Sequence, residues 1–337
     1  MENASPALMR KLLDKNQTLL FCRLALDSNN NIVAMMNVPI GMFTPNTIYS
    51  GWRELALLAD EQDDNLENSF GQAVANDNSL KQAVPETEAT IKYQYFKKWM
   101  SETLTLLQAT NRADLLGLAT YIPLTFIHRV NYLCSPKGIL KDKLLKMNNY
   151  YWLNSQSQQI SIGSVLQNMT QQIQELNQLS EQEVKDCFFR TRDTFSTKGG
   201  IQQQEVANVV NNSIKDMLDS QKLSSPEHTS YILEFAMGNI IHDFNINPVF
   251  TELYHLQMNV LHPDFFKALG VQLPIFSPDN QQLDTDFINQ YVYTSVGKSR
   301  KLYPSIEFRV DKLDDTNPFN FSLSLARETA RMIHTID

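Results

Sequence analysis

The chain has 337 residues with 42% hydrophobic and 10% aromatic side chains, enough for one large domain or two ordinary ones. Its net charge of -8 argues against general nucleic-acid binding, which needs a basic footprint, although a local basic patch is still allowed. It has 11 glycines and only one adjacent pair, Gly199-Gly200, so the glycine-rich loops of nucleotide enzymes are excluded.

Asn (29) and Gln (24) are abundant, and apolar residues recur mostly at helical spacing. The three cysteines, Cys22, Cys134 and Cys187, each sit among apolar neighbours without metal-ligand spacing, and read as buried reduced thiols of a cytoplasmic protein. The N-terminus, Met1 to Pro6, lacks the basic and apolar regions of a secretory signal. The most apolar stretch, Leu115 to Ile127, is shorter than the ~20 residues of a membrane helix and reads as a core helix.

Ser5-Pro6 supplies an N-cap and N1 pair for a short helix to about Lys15. Thr18 to Leu26 and Ile32 to Val38 read as a β-hairpin, joined through Asp27 and four turn-forming residues. Thr44-Pro45 opens a helix to about Gln62. From Asp60 to Glu88, eight acidic residues face the single Lys81, the pattern of an acidic loop. Pro85 opens a long helix through Tyr95 and Trp99 to Leu107, and another begins near Asn111 and runs through Phe126 and Val130.

Ile139 to Met147 is a basic helix carrying Lys141, Lys143 and Lys146, with Lys137 just before it and an extended Tyr150 to Leu153 after it. Such a segment suits phosphates, an anionic surface or an acidic partner; the plainer reading is a solvated face. Ile162, Leu166, Met169, Ile173 and Leu176 step by 4, 3, 4 and 3, a coiled-coil-type seam too short to stand alone. Its other faces are nearly all Gln, Asn, Ser and Thr, with Glu175 the only charge.

Ser180 and Glu183 form a capping box for a helix expected to pass Phe188 and Phe195. Ile201 to Ser220 is helical, Ser225-Pro226 caps a helix to Asp243, Asn247-Pro248 caps one to Leu261, and Gly270 closes a short helix after Pro263. Beyond Gly270 the pattern is irregular until Ile306, Phe308 and Val310 alternate as a half-buried strand and Leu323 to Ile336 closes as a helix.

An isolated hairpin is marginal in water. The expected fold is therefore α+β and predominantly α-helical: a bundle-like helical lobe, and a small antiparallel sheet that joins the N-terminal hairpin to the C-terminal strand. The expected domains are a mixed lobe (1–62 plus 271–337), an acidic flexible loop (63–85) and a helical lobe (86–270).

Four of the six histidines lie between His228 and His262. His242-Asp243 and Glu252-x-x-His255 are the local patterns of metal sites, and both suit a divalent metal between two helices. A di-iron bundle needs two Glu-x-x-His units, and this sequence has one. His242 lies on a second stripe with Tyr231, Phe235 and Gly238, which marks a helix buried on both sides with Gly238 admitting a close neighbour. The plainer reading is a solvated polar strip plus one packed histidine.

No nucleophile elbow, Walker A motif or zinc-type spacing occurs. The reading that follows is a non-enzymatic adaptor or scaffold subunit of a larger bacterial assembly. It needs no cofactor, and it meets a protein partner or a second copy of itself through Gln167, Gln171 and Gln174, and an anionic surface through Lys137–Lys146. The alternatives are a metal enzyme with its site in a helical bundle, and a secreted bacterial effector acting on host proteins or lipids.

Overall fold

The computed structural model describes residues 5–69, 81–110, 115–155, 159–191, 203–220, 226–243, 247–277, 282–301 and 303–333. α-Helix dominates, with small antiparallel sheets beside it, as the sequence leads one to expect. Two compact units emerge: residues 1–83 with 137–142 and 189–197, and residues 84–136 with 143–188 and 198–337.

The first unit is built on local signals. Ser5 caps α1 (Pro6–Asn16), its side chain accepting from the Leu8 N–H. β1 (Cys22–Leu26) pairs with β2 (Ile32–Met36) in a hairpin whose turn places Asn30 at φ 60°, which Asn tolerates. The register sets Cys22 opposite Met36 and Leu24 opposite Ala34 on the inner face, and Arg23 opposite Met35 on the outer. Leu8, Leu12, Cys22, Leu24 and Leu58 form the core, the last from α2 (Pro45–Ser69). The Glu54 carboxylate then accepts the N–H groups of Leu20, Phe21 and Cys22 at 2.8, 2.6 and 2.8 Å, pinning the hairpin to α2.

Two expectations for this region are corrected. The hairpin gains its apolar cover from α1 and α2 rather than from a third strand. Ile306 to Val310 forms no strand, and residues 271–337 belong to the second unit. The acidic stretch is not a loop from residue 63: α2 continues to Ser69, and Lys81–Ala83 forms β3, while residues 70–80 lie outside the described residues. β3 pairs with β4 (Phe189–Thr191).

The second unit is helical. It holds α3 (Glu86–Ala109), α4 (Leu116–Ala119), α5 (Tyr121–Leu133), most of α6 (Gly138–Asn154), α7 (Ile162–Glu175) and α8 (Glu181–Lys185). It continues with α9 (Gln203–Ser220), α10 (Pro226–Asp243), α11 (Pro248–Leu261), α12 (Pro263–Ala268), α13 (Thr285–Ser299) and α14 (Pro318–Ile333). α5 and α10 are the central pair, flanked by α3, α9, α11 and α14.

Every α5 residue from Ile122 to Val130 is buried, and so is every α10 residue from Ile232 to Ile240. Gly238 is what brings α10 so close to its neighbours: a Cβ there would lie 2.9 Å from the Tyr254 hydroxyl and 3.2 Å from the His128 Cβ. The helix buried on both sides is thus as the two stripes imply.

The Ser180 capping box forms, but α8 ends at Lys185, and β4 takes the place of the expected continuation; Phe195 lies outside the described residues. Tyr150 to Leu153 is not extended but completes α6. Ile306 and Phe308 are buried as the alternation requires, with ion pairs in place of strand pairing. Arg309 binds Glu328 on α14 at 3.0 and 2.6 Å, and the Arg331 Nη2 donates to the Glu307 carbonyl at 2.9 Å.

Candidate functional sites

Arg129 carries a charge into the fully buried face of α5, where charge is tolerated only if paired. Its Nε and Nη2 each donate to Glu234 of α10 at 2.7 Å, a two-point fork. His262, at the end of α11, reaches the same carboxylate with Nε2 at 3.1 Å. The Arg129 guanidinium also lies over the rings of Tyr231 (4.7 Å) and Trp99 (5.8 Å).

Burial alone raises the Glu234 pKa, but Arg129 and His262 outweigh it and hold the group at about 2. Burial lowers the His262 pKa despite the carboxylate beside it. A neutral imidazole therefore donates its Nε2–H, and no second positive charge is needed. Both Glu234 oxygens are occupied, so this network pins α5, α10 and the end of α11 and offers no free base. Neither Arg129 nor Glu234 stands out in the sequence as a pair, because 105 positions separate them. The signal available was a charge inside the apolar run Ile122 to Val130.

The sequence-proposed metal residues divide between two settings. His255 meets the Tyr132 hydroxyl at Nδ1 (3.0 Å) and the Asn259 amide at Nε2 (3.3 Å). Asn259 Oδ1 accepts from the Leu273 N–H at 3.1 Å, which orients its amide so that Nδ2 donates to His255. The histidine then carries its proton on Nδ1, and both nitrogens are engaged. Burial lowers its pKa, against the opposing pull of Glu252.

Glu252 instead accepts from the Tyr291 hydroxyl at 2.8 Å and borders a cleft of about 310 Å³ with Phe287, Gln290, Thr294, Ser295 and Lys298. Burial, then Glu252, drives the Tyr291 pKa upward. Glu252 and His255 therefore face different partners. Among the described residues no three His, Cys, Asp or Glu side chains gather as metal ligands. The side chains of His228, His242 and Asp243 lie outside the described residues.

The proposed interaction residues fall on exposed faces. On α7, Val165, Leu166, Met169 and Ile173 are buried, with Leu176 just beyond, while Gln167, Gln171 and Gln174 are exposed. The Gln171 amide donates to Glu175 at 3.0 Å, and Gln172 donates to Asn168, so the polar face is tied along the helix. On α6, Lys141 and Lys146 are exposed and Lys143 half-buried, while Leu140, Leu144 and Met147 are buried. Compared with known protein families, curated proteins and solved structures, the chain matches none.

Proposed function

We propose that this protein is an adaptor or scaffold subunit that acts through protein–protein contacts, with the exposed face of α7 as its partner surface. One observation carries the reading. α7 is anchored by a buried apolar seam, yet its outward face presents Gln167, Gln171 and Gln174 and carries no Lys or Arg. Solvated helix faces usually hold Lys and Glu, and their depletion is the composition of interface cores.

The test replaces all three glutamines with lysine. The substitutions lie off the seam, so circular dichroism and Tm should stay unchanged. Association with a protein partner or a second copy should weaken, because an unpaired charge buried at an interface costs several kcal/mol. Retention of the same oligomeric state and copurifying proteins would sink the reading. Stoichiometric iron, manganese or zinc in the purified protein would instead favour a metal enzyme.

A further inference from the structure

The hairpin of the first unit has one closed edge and one open edge. Asp27 N–H donates to Asn31 O at 2.9 Å, and Asn37 N–H donates to Phe21 O at 3.0 Å. Hydrogen-bonded pairs alternate along an antiparallel ladder, so Arg23 with Met35 and Ala25 with Val33 are the bonded pairs between these two. The backbone groups of the intervening residues point sideways out of the sheet: Cys22 and Leu24 from β1, and Ile32, Ala34 and Met36 from β2.

On β1 the chain answers these groups itself. Asn16 serves Leu24 twice, its Oδ1 accepting from the N–H at 2.7 Å and its Nδ2 donating to the carbonyl at 2.9 Å. Glu54 accepts from the Cys22 N–H at 2.8 Å. Side chains thus take the places that an added strand would take. On β2, among the described residues, no donor or acceptor meets the outward groups of Ile32, Ala34 and Met36. A bare strand edge specifies its occupant more narrowly than an apolar face does, because its alternating N–H and C=O groups are matched by another extended backbone.

The side chains say whose backbone it is. Residues 31–37 read Asn, five apolar residues, Asn, with Ala34 at the centre, so the segment has the same character in both directions. A second β2 laid antiparallel about Ala34 sets Ala34 opposite its own copy and Ile32 opposite Met36, each pair exchanging two hydrogen bonds. Ile32, Ala34 and Met36 already pack against the first core, so their pairing would extend that core across the axis. On the outer face Val33 comes opposite Met35, which is 43% exposed, and Asn31 comes opposite Asn37. Apolar meets apolar, amide meets amide, and no charge faces its like. One patch that complements itself is the condition for a twofold contact.

We infer that two copies of this chain join edge to edge through β2, antiparallel about a twofold axis at Ala34, into a four-stranded sheet of order β1-β2-β2-β1. This goes beyond the adaptor reading, uses a different part of the chain and does not depend on α7.

Sedimentation velocity of the full chain over a hundredfold range of concentration tests it. A dimer is expected that dissociates on dilution, since a five-residue edge is a small interface. Ala34→Pro removes the N–H at the axis, which the single chain does not use, and proline is tolerated on a strand edge. This variant should keep its circular dichroism and sediment as a monomer. Val33→Glu, Met35→Glu sets carboxylates opposite one another on the outer face and should weaken the dimer at least tenfold, which decides the matter should Ala34→Pro fail to fold. Mixing it with Val33→Lys, Met35→Lys should restore a dimer containing one copy of each. A parent that is monomeric at every concentration, a double-glutamate variant that dimerises like the parent, or a mixture no more dimeric than its components overturns the inference. The variant with lysine in place of Gln167, Gln171 and Gln174 should remain dimeric, and a monomer there would put the self-contact on α7 and overturn it too. Failure of the α7 reading shows instead as unchanged copurifying proteins, so the two failures are told apart.

Discussion

Arg129 and Glu234 meet as a two-point ion pair inside the helical unit, each of their two hydrogen bonds 2.7 Å long and both side chains 4% exposed. Desolvation of the two charges offsets most of their attraction, so the pair adds little over apolar residues of the same volume. Removing one partner is a different matter. Glu234→Gln leaves a buried guanidinium without its counter-charge and should cost about 3–5 kcal/mol. Urea unfolding followed by circular dichroism reads this out. The double variant Arg129→Met, Glu234→Leu should recover most of the loss, and a double variant as unstable as Glu234→Gln would contradict the account.

The same carboxylate sets a pH dependence. Glu234 falls from the ordinary 4.5 to about 2 in the folded protein, so its contribution is present above the ordinary carboxylate range and is lost as pH falls toward 2. Glu328 shifts the same way: burial opposes ionisation, but Arg309 and Arg331 prevail. Burial holds His255 and His262 below 6.5, so the unfolded chain takes up those protons first as pH drops. All four groups therefore destabilise the fold on acidification. Tm measured from pH 7 to pH 3 should decline throughout, and a flat profile down to pH 4 would be inconsistent with these shifts.

Gly238 and Tyr254 make a coupled pair. Gly238→Ala gains helix propensity of about 1 kcal/mol but drives a methyl to 2.9 Å from the Tyr254 hydroxyl, and overpacking of that kind costs ~1–3 kcal/mol. Net destabilisation is expected. Among the described residues the buried Tyr254 hydroxyl has no hydrogen-bond partner, so Tyr254→Phe alone should be neutral or stabilising. Combined with Tyr254→Phe, Gly238→Ala should lose less stability than it does alone. A double-mutant cycle on Tm decides this, and strict additivity would mean that the two groups do not meet.

Local chemistry made much of the fold legible. Ser5-Pro6, Ser180 with Glu183, and Asn247-Pro248 each marked a helix start that the structure keeps, because caps depend on neighbours in sequence. The alternation at Ile306 and Phe308 was a true burial signal but said nothing about hydrogen-bond partners: the Ile306 N–H donates to the Tyr303 carbonyl, and the Ile306 and Glu307 carbonyls accept from the side chains of Arg300 and Arg331. α13 was missed because Pro274 and Pro278 suggested irregular chain up to Pro304. At the candidate sites, sequence spacing put Glu252 and His255 on one helical strip. Their partners Tyr291 and Tyr132 come from α13 and α5, and long-range contacts of that kind leave no periodic trace.

The three thiols can report on the two units separately. All are buried and none forms a disulfide. Burial, then Glu54, pushes Cys22 up to about 11, and burial pushes Cys134 up to about 12, so neither supplies thiolate at neutral pH. Native protein should therefore resist alkylation until it opens. Cys22 lies in the first unit, whose core is five buried side chains, while Cys134 and Cys187 lie in the larger helical unit. Smaller cores give less stability, so Cys22 should label at lower urea than the other two when the sites are mapped by mass spectrometry. Glu54→Ala removes the acceptor for three backbone N–H groups and should cost the first unit about 1–3 kcal/mol. It should shift Cys22 labelling to still lower urea and leave Cys134 where it was. If all three cysteines label in one transition, in both the parent and the variant, the chain unfolds as a single unit and the separate first core has no thermodynamic meaning.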